Sequence, residues 1–272
     1  MQRFFSTITK NPGRLFQQTV IVTGSGSGIG RALALGFAKE GANVGVTGRT
    51  IKALDETVEM IKKQGGNAMS AFMDVTNEKS IKEAVDKVTD KYNDRLDVMV
   101  MNAGIQHIDP IHKLDQKDWR KVLSVHLDGS FLCTKEAVKK MYPQKSGSLI
   151  YIGSVHSKRA SKLKAPYCSA KHGMLGLARV VAKEAAEYNV KANLILPGYV
   201  FTPLVEKQIP EQAKELGISE KEVIEKVMLQ DRFNSSFISL NDLSEIAIFF
   251  ATFPSLAISG QSLIASHGSF FV

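Results

Sequence analysis

Three residues with proton-transferring side chains follow one another in the second half of the chain, namely Ser154, Tyr167 and Lys171. A step of four residues places Tyr167 and Lys171 on the same face of a helix. An ammonium beside a phenol favours the ionised phenol, so we expect the pKa of Tyr167 to be lowered toward neutrality. Such a phenol serves as general acid and base for a carbonyl group and its alcohol, with Ser154 hydrogen-bonded to the reacting oxygen. Because the pattern Tyr-x-x-x-Lys is common, an ordinary helix is the alternative unless the chain also holds a cofactor site.

A glycine-rich turn near the start of the chain predicts such a cofactor site. The run Thr19-Val20-Ile21-Val22-Thr23 predicts a strand, and apolar residues recur at helical spacing after the turn. Glycine permits a tight turn, and the first amides of a helix favour a bound pyrophosphate. The turn residues predicted to contact a dinucleotide are Gly24, Ser27, Gly28, Ile29 and Gly30.

Candidate strands alternate with amphipathic helices along the rest of the chain. The predicted strands cover residues 19–23, 43–47, 68–73, 97–101, 148–153, 192–196 and 262–265. Between them, apolar residues recur on one helical face, as in Ile51, Leu54, Val58 and Ile61. This alternation predicts the α/β class, with a Rossmann-type, doubly wound parallel sheet of seven strands and helices on both faces.

The domain organisation predicted from the sequence is simple. No repeat or Pro/Gly/Ser-rich linker divides the 272 residues, so we expect a tail over residues 1–14 and one domain over residues 15–272. A helical, charged segment of about residues 199–239 is inserted after the sixth strand. Ligands bind at the carboxyl ends of such strands, so the segment is predicted to be a substrate lid, with a packed surface excursion as the alternative.

Composition narrows the class of protein. Apolar residues make up 44% of the chain and charged residues 23%, as in soluble globular proteins, and no apolar run is long enough to span a membrane. The net charge of +8 comes from basic residues scattered among acidic ones, so no nucleic-acid partner is expected. Cys133 and Cys168 fall in predicted helices, which favours a reducing, cytoplasmic location. The acid-free, basic start of the chain leaves organellar targeting open. No metal site is predicted.

Together these motifs resemble the short-chain dehydrogenases/reductases. The segment Thr23-Gly24-Ser25-Gly26-Ser27-Gly28-Ile29-Gly30 matches the family pattern TGxxxGxG, and Ser154, Tyr167 and Lys171 match its catalytic set. Three further family landmarks follow predicted strands in the family order: Asp74-Val75, Asn102-Ala103-Gly104 and Pro197-Gly198. The resemblance implies that these landmarks, together with Val200, Tyr167 and Lys171, contact a nicotinamide dinucleotide, and that the chain forms a homotetramer.

The resemblance also gives each catalytic residue a role. Tyr167 exchanges a proton with the reacting oxygen, Lys171 lowers its pKa and holds the nicotinamide ribose, and Ser154 stabilises the developing oxyanion. The family usually has an asparagine at the position of His126, where the backbone carbonyl supports a proton-relay water. His126 is therefore counted among the catalytic residues, and it either keeps that geometry or weakens the relay.

The end of the second predicted strand bears on the choice of cofactor. Gly48 stands where NAD-dependent members often carry an acid that bonds the ribose hydroxyls, and Arg49 follows it. A guanidinium there suits the 2′-phosphate of NADP. NAD is the expected cofactor, and NADP stays open because of Arg49.

Four polar residues predict an acidic substrate. Gln106, His156, Lys164 and Gln208 offer amide, imidazole and ammonium donors suited to a small carboxylate. Their sequence context resembles the 3-hydroxybutyrate dehydrogenases of this family, in which Tyr199 would help to enclose the substrate. The resemblance implies interconversion of D-3-hydroxybutyrate and acetoacetate. The alternatives are an NADPH-dependent 3-oxoacyl thioester reductase and a nucleotide-binding regulatory protein with weak chemistry.

Overall fold

The computed structural model describes residues 13–230, 233 and 236–271, and its centre is one parallel sheet of seven strands. The strands are β1 (Thr19–Thr23), β2 (Asn43–Gly48), β3 (Asn67–Phe72), β4 (Val98–Met101), β5 (Gly147–Ile152), β6 (Val190–Pro197) and β7 (Ser262–Ala265). They lie in the order β3-β2-β1-β4-β5-β6-β7. The predicted fold class is confirmed, and every predicted strand is present.

Helices cover both faces of this sheet. They are α1 (Gly28–Lys39), α2 (Ile51–Lys63), α3 (Glu78–Lys91), α4 (Gln116–Leu123), α5 (Gly129–Gln144), α6 (Ala165–Glu184), α7 (Pro203–Leu216), α8 (Glu220–Glu222) and α9 (Leu240–Thr252). A π-helical turn, Ser124–Asp128, joins α4 to α5. The described helices that pack on one face are α1, α2 and α9, and those on the other are α3, α5 and α6.

The strands are apolar on both sides because both sides are covered. In β1, Val20 and Val22 pack against α1, α2 and α9, whereas Ile21 faces the opposite layer. All three are fully buried. Burying one such side chain contributes about 1.5–3 kcal/mol, which explains why short β-branched runs locate the strands in the sequence.

The strand order reverses beside β1, and this reversal locates the ligand crevice. β1 pairs with β2 on one side and with β4 on the other, so the chain leaves β1 and β4 toward opposite halves of the sheet. In open parallel sheets, ligands bind outside the carboxyl ends of the strands at such a switch point.

Two segments at the edges of the fold complete the description. Residues 1–12 of the predicted tail lie outside the described residues, but Arg14 pairs with Glu40 and Glu245, each at 2.9 Å, and Leu15 is buried. In the predicted lid, α7 and the π-helical turn Val223–Met228 pack around a small apolar cluster, while residues 231, 232, 234 and 235 lie outside the described part. None of the described helices is long and apolar enough to cross a membrane.

Candidate active site

A cavity of about 410 Å³ opens at the carboxyl ends of the central strands. Every residue predicted to contact cofactor, substrate or the reacting atoms lines it. The cavity is therefore the place where segments from β1, β4, β5, α6 and the α7 region meet. Its volume is within the range of small-molecule sites.

The glycine turn is locked to the loop after β4 at the switch point. The Asn102 side-chain amide donates to the carbonyl oxygens of Thr23 (2.8 Å) and Gly24 (3.3 Å). Thr23 Oγ1 in turn accepts from the backbone amides of Asn102 and Ala103, each at 2.9 Å. A Cβ on Gly30 would lie 2.5 Å from Asn102 Nδ2, so this close approach requires glycine. The result is a bare-backbone cradle at the start of α1, which fits a dinucleotide pyrophosphate.

Arg31, which was not among the residues predicted from the sequence, stabilises the glycine turn through its side chain. Its guanidinium donates to the Gly26 carbonyl oxygen and, at 3.0 Å, to Thr57 Oγ1. Thr57 is itself fully buried and donates to the Ser25 carbonyl oxygen at 3.1 Å. These contacts tie the glycine turn to α2.

Two charged residues lie at the end of the cavity where the sequence predicts the adenosine of the cofactor. Gly48 ends β2 and brings no side chain, while the exposed Arg49 lines the cavity. Asp74 accepts hydrogen bonds from the backbone amide (2.9 Å) and the hydroxyl (2.8 Å) of Thr76. The Thr76 amide is the main cause that lowers the pKa of Asp74, and Arg49 adds to it, so this carboxylate stays ionised.

The predicted proton-transfer group is assembled at the opposite end. Ser154 caps the short 3-10 helix after β5 and accepts from the His156 amide at 3.2 Å. Tyr167 and Lys171 stand one turn apart on α6, with the ammonium 5.5 Å from the centre of the phenol ring. Lys171 Nζ donates to the Ile152 carbonyl oxygen at 2.6 Å. A backbone group that carries no sequence signal therefore aims the lysine.

The expected lowering of the Tyr167 pKa is wrong for this structure. Burial raises the pKa of the phenol to about 12, and the hydrogen bond with Ser154 only partly opposes it. Burial also lowers the pKa of Lys171 to about 7. Desolvation disfavours the charged form of each group, and it is the largest cause of the shift in both pKa values. The site thus presents a protonated phenol near neutral pH.

His126 lies directly behind Tyr167. The two rings meet edge to face with centroids 5.2 Å apart. The imidazole Nε2 lies 2.7 Å from the carbonyl oxygen and 3.1 Å from the backbone nitrogen of Ile105, while its Nδ1 is buried without a hydrogen-bond partner. A neutral imidazole nitrogen either donates or accepts, so Nε2 serves one of the two Ile105 groups at a time.

The surroundings of His126 keep its ring neutral and fixed. Only 2% of the residue is exposed, and burial lowers its pKa to about 3, with the positive Lys171 as the second cause. Gly104 packs on the ring, where a Cβ would lie 2.5 Å from Cε1 of His126. The His126 backbone carbonyl accepts from Ser130 Oγ at 2.6 Å, within the helix that contains the π-helical turn.

The predicted substrate residues form the third part of the cavity. Lys164 is 3% exposed, and its Nζ donates to the Tyr199 hydroxyl at 3.2 Å. His156, 5% exposed, stands between Tyr199 and Tyr167. Burial, and then the positive charge of Lys164, lower the pKa of His156 to about 3, so its ring is neutral.

The helix α7 begins at the rim and brings Gln208 into the cavity. Thr202 caps it and Pro203 occupies its first turn, which together are a sequence signal for the start of a helix. The buried Gln208 amide donates to the Leu204 carbonyl oxygen at 3.2 Å, and its oxygen accepts from the buried Gln212 at 3.4 Å. The sequence did not indicate Gln212 either, because this residue contacts the side chain of Gln208 and does not itself line the cavity.

The fold and this site define a family, and comparison with known proteins agrees. Residues 18–213 match the model of the short chain dehydrogenase family. The chain belongs to that family, and it is an oxidoreductase of the NAD(P)-dependent type.

Particular relatives narrow the comparison. The chain is 38% identical to a D-beta-hydroxybutyrate dehydrogenase of Rhizobium meliloti (strain 1021), an alignment that covers 92% of this chain and 98% of the relative. It is 33% identical to the 3-oxoacyl-acyl-carrier-protein reductase FabG of Thermotoga maritima, over 91% and 96% of the two chains. Among solved structures, an actinorhodin polyketide ketoreductase with NADPH superposes with a TM-score of 0.88 at 26% identity, over 93% and 97%.

Proposed function

We propose that the chain interconverts D-3-hydroxybutyrate and acetoacetate by hydride transfer with a nicotinamide cofactor. The observation that carries this proposal is the buried ammonium of Lys164. Asp74, at the far end, is the only acid among the described residues that line the cavity, and it bonds Thr76. A buried charge is costly unless it is paired, so an anionic ligand suits this end.

The geometry supports a short substrate in particular. The His156 ring is centred 6.1 Å from the Tyr167 ring and 6.5 Å from the Tyr199 ring, on which Lys164 lies. One side chain, His156, thus packs against both the proton-transferring Tyr167 and the tyrosine that accepts from Lys164. Gln106 and Gln208 line the same cavity and add amide donors. A four-carbon keto acid, with its ketone two bonds from the carboxylate, matches this spacing.

In the reduction direction, Tyr167 gives its phenol proton to the ketone oxygen, and Ser154 stabilises the charge that develops there. A nicotinamide cofactor held by the glycine turn and Lys171 would supply the hydride for the carbonyl carbon, or accept it in the reverse reaction. Lys171, held by the Ile152 carbonyl oxygen one helical turn from Tyr167, would hold the nicotinamide ribose of the bound cofactor. His126 contacts both the Tyr167 ring and Ile105 in the loop after β4, and so fixes their relative positions. The lid segment would exclude water when it closes.

For the cofactor, the adenosine end supports acceptance of NADP(H) as well as NAD(H). Gly48 offers no carboxylate to the ribose hydroxyls, whereas the exposed guanidinium of Arg49 is free of any ion pair among the described residues and lines the cavity. Arginine binds phosphate by paired, charge-assisted hydrogen bonds.

Four rates test the proposal, measured with purified protein. Acetoacetate and a short 3-oxoacyl thioester are each reduced with NADH and with NADPH. We expect acetoacetate to be reduced with the higher kcat/KM. Failure to reduce acetoacetate with either cofactor would refute the proposal. Faster turnover of the thioester would instead favour a 3-oxoacyl thioester reductase, the activity for which the Thermotoga maritima relative is named. Tight cofactor binding without turnover of any ketone would indicate a regulatory protein.

Assembly and location complete the proposal. We propose a homotetramer, as the family resemblance implies, and a cytoplasmic location, which the unpaired Cys133 and Cys168 favour. Sedimentation analysis of the full chain and microscopy of a tagged chain test these two points.

A further inference from the structure

The side chains of Lys164 and Tyr199, 35 residues apart, meet at the substrate end of the cavity. The ammonium lies 3.2 Å from the phenol oxygen and 5.1 Å from the centre of the phenol ring. Lys164 immediately precedes α6, and Tyr199 follows the Pro197-Gly198 turn. Two separate elements thus converge on one contact.

This contact is unusual because a buried ammonium normally faces a carboxylate. None of the ion pairs among the described residues includes Lys164. The phenol oxygen of Tyr199 accepts its hydrogen bond, and the electron-rich ring face attracts the same charge. Phenylalanine keeps the ring without the oxygen, and tryptophan carries a ring N–H that can only donate.

The neighbouring imidazole does not supply the charge itself. His156 packs edge to face against Tyr199 and is neutral, as the lowered pKa requires. Lys164 is therefore the positive charge that lines the cavity beside Tyr199 and His156, because Arg159, which also acts on His156, is not among the lining residues. The direction of the Lys164 ammonium then determines where an anion can bind in this part of the cavity.

We propose that Tyr199 is a positioning residue, whose phenol oxygen keeps the Lys164 ammonium aimed into the cavity before an anionic substrate arrives. The preference for a carboxylate over its neutral analogue then depends on one hydroxyl group. This inference rests on the proposed function for the identity of the anion. The placement of Lys164 by Tyr199 does not depend on it.

Without that oxygen, the ammonium loses an acceptor, and its flexible four-carbon stem lets it turn toward solvent. The substrate carboxylate must then draw the Lys164 ammonium back into the cavity. The affinity for the carboxylate is reduced in proportion to the fraction of molecules in which the ammonium already points into the cavity. A hydrogen bond to a charged group has a strength that corresponds to a change of roughly 10- to 100-fold in binding.

The first test compares acetoacetate with methyl acetoacetate, which has the same ketone and no charge. We expect Tyr199→Phe and Tyr199→Trp to lower the ratio of kcat/KM for the acid to kcat/KM for the ester by about tenfold or more, mainly through KM for the acid. Tyr188→Phe, which removes a phenol oxygen far from the cavity, leaves the ratio unchanged. An unchanged ratio in Tyr199→Phe, or full retention in Tyr199→Trp, overturns the inference.

The second test needs no substrate, so it separates this inference from the proposed function. The free chain is treated with an amine-acylating reagent, and labelling of Lys164 is read by mass spectrometry against the exposed Lys183. Faster labelling of Lys164 in Tyr199→Phe than in the unaltered chain supports the positioning role even if acetoacetate proves not to be the substrate. Equal labelling in both chains contradicts it even if acetoacetate is reduced.

Discussion

Nε2 of His126 lies 2.7 Å from the carbonyl oxygen of Ile105 and 3.1 Å from the nitrogen of the same residue. One imidazole nitrogen thus faces a donor and an acceptor together. An asparagine amide carries both kinds of group and can serve both at once. The histidine therefore keeps the loop after β4 in place with one hydrogen bond where an amide would form two.

We predict that His126→Ala loosens this loop, whereas His126→Asn, which keeps a donor and an acceptor, retains it. The alanine variant leaves polar groups of Ile105 without a protein partner, which costs about 1–2 kcal/mol of unfolding free energy. It also removes the edge contact with Tyr167, so we expect kcat/KM to fall about tenfold or more. Urea unfolding and steady-state kinetics measure both effects. An alanine variant as stable and active as the unaltered chain would refute this role.

Removal of the phenol oxygen of Tyr167 separates chemistry from cofactor binding. We expect Tyr167→Phe to lower turnover by about 10²-fold or more, because general acid catalysis contributes about that much. Cofactor affinity, followed by fluorescence of the reduced cofactor, should stay within about threefold. Tyr142→Phe is the matched control, since Tyr142 stacks on Tyr188 outside the cavity. Near-normal turnover in Tyr167→Phe means that another group transfers the proton.

The guanidinium of Arg49 should select for the 2′-phosphate of the cofactor. We expect Arg49→Ala to raise KM for NADPH by about 10- to 100-fold and to change KM for NADH by less than about threefold. Arg179→Ala, at an exposed position on α6, is the control. Equal effects on both cofactors would show that Arg49 does not distinguish them.

Two buried imidazoles predict how stability depends on pH. His126 and His156 each have a pKa of about 3 in the folded chain, against about 6.5 when unfolded. Between these values the unfolded chain binds more protons, so stability falls as pH decreases from about 6.5 toward 3. Each residue contributes up to about 1.4 kcal/mol per pH unit. Urea unfolding at several pH values should give a shallower dependence of stability on pH for His126→Asn than for the unaltered chain, and an equal dependence in both chains would contradict this prediction.

The fold was predictable because its signals are local. Buried strands such as Thr19–Thr23 read as short β-branched runs, and α6 places Tyr167 and Lys171 on one face through its periodicity alone. The predicted site residues that follow strand ends line one cavity because parallel strands end together. His126, Tyr167, Lys171 and Gln208 reach the same cavity from helical segments.

The electrostatics of the site could not be predicted in the same way. The spacing of Tyr167 and Lys171 gives their proximity, but the direction of each pKa depends on how much water the fold excludes. Likewise, His126 and Lys171 bond the backbone carbonyl oxygens of Ile105 and Ile152. The path of the backbone places these two oxygens, and the type of residue that carries them gives no sign of it.

The packing of Gly104 on the His126 ring restricts the order in which substitutions can accumulate. An alanine at 104 would bring its methyl carbon within 2.5 Å of Cε1 of His126. Alanine at 104 is therefore incompatible with the imidazole as it stands, whereas a shorter asparagine at 126 removes the atom that it would meet. The two positions are epistatic: a lineage carrying histidine at 126 must change that residue before it can lose the glycine.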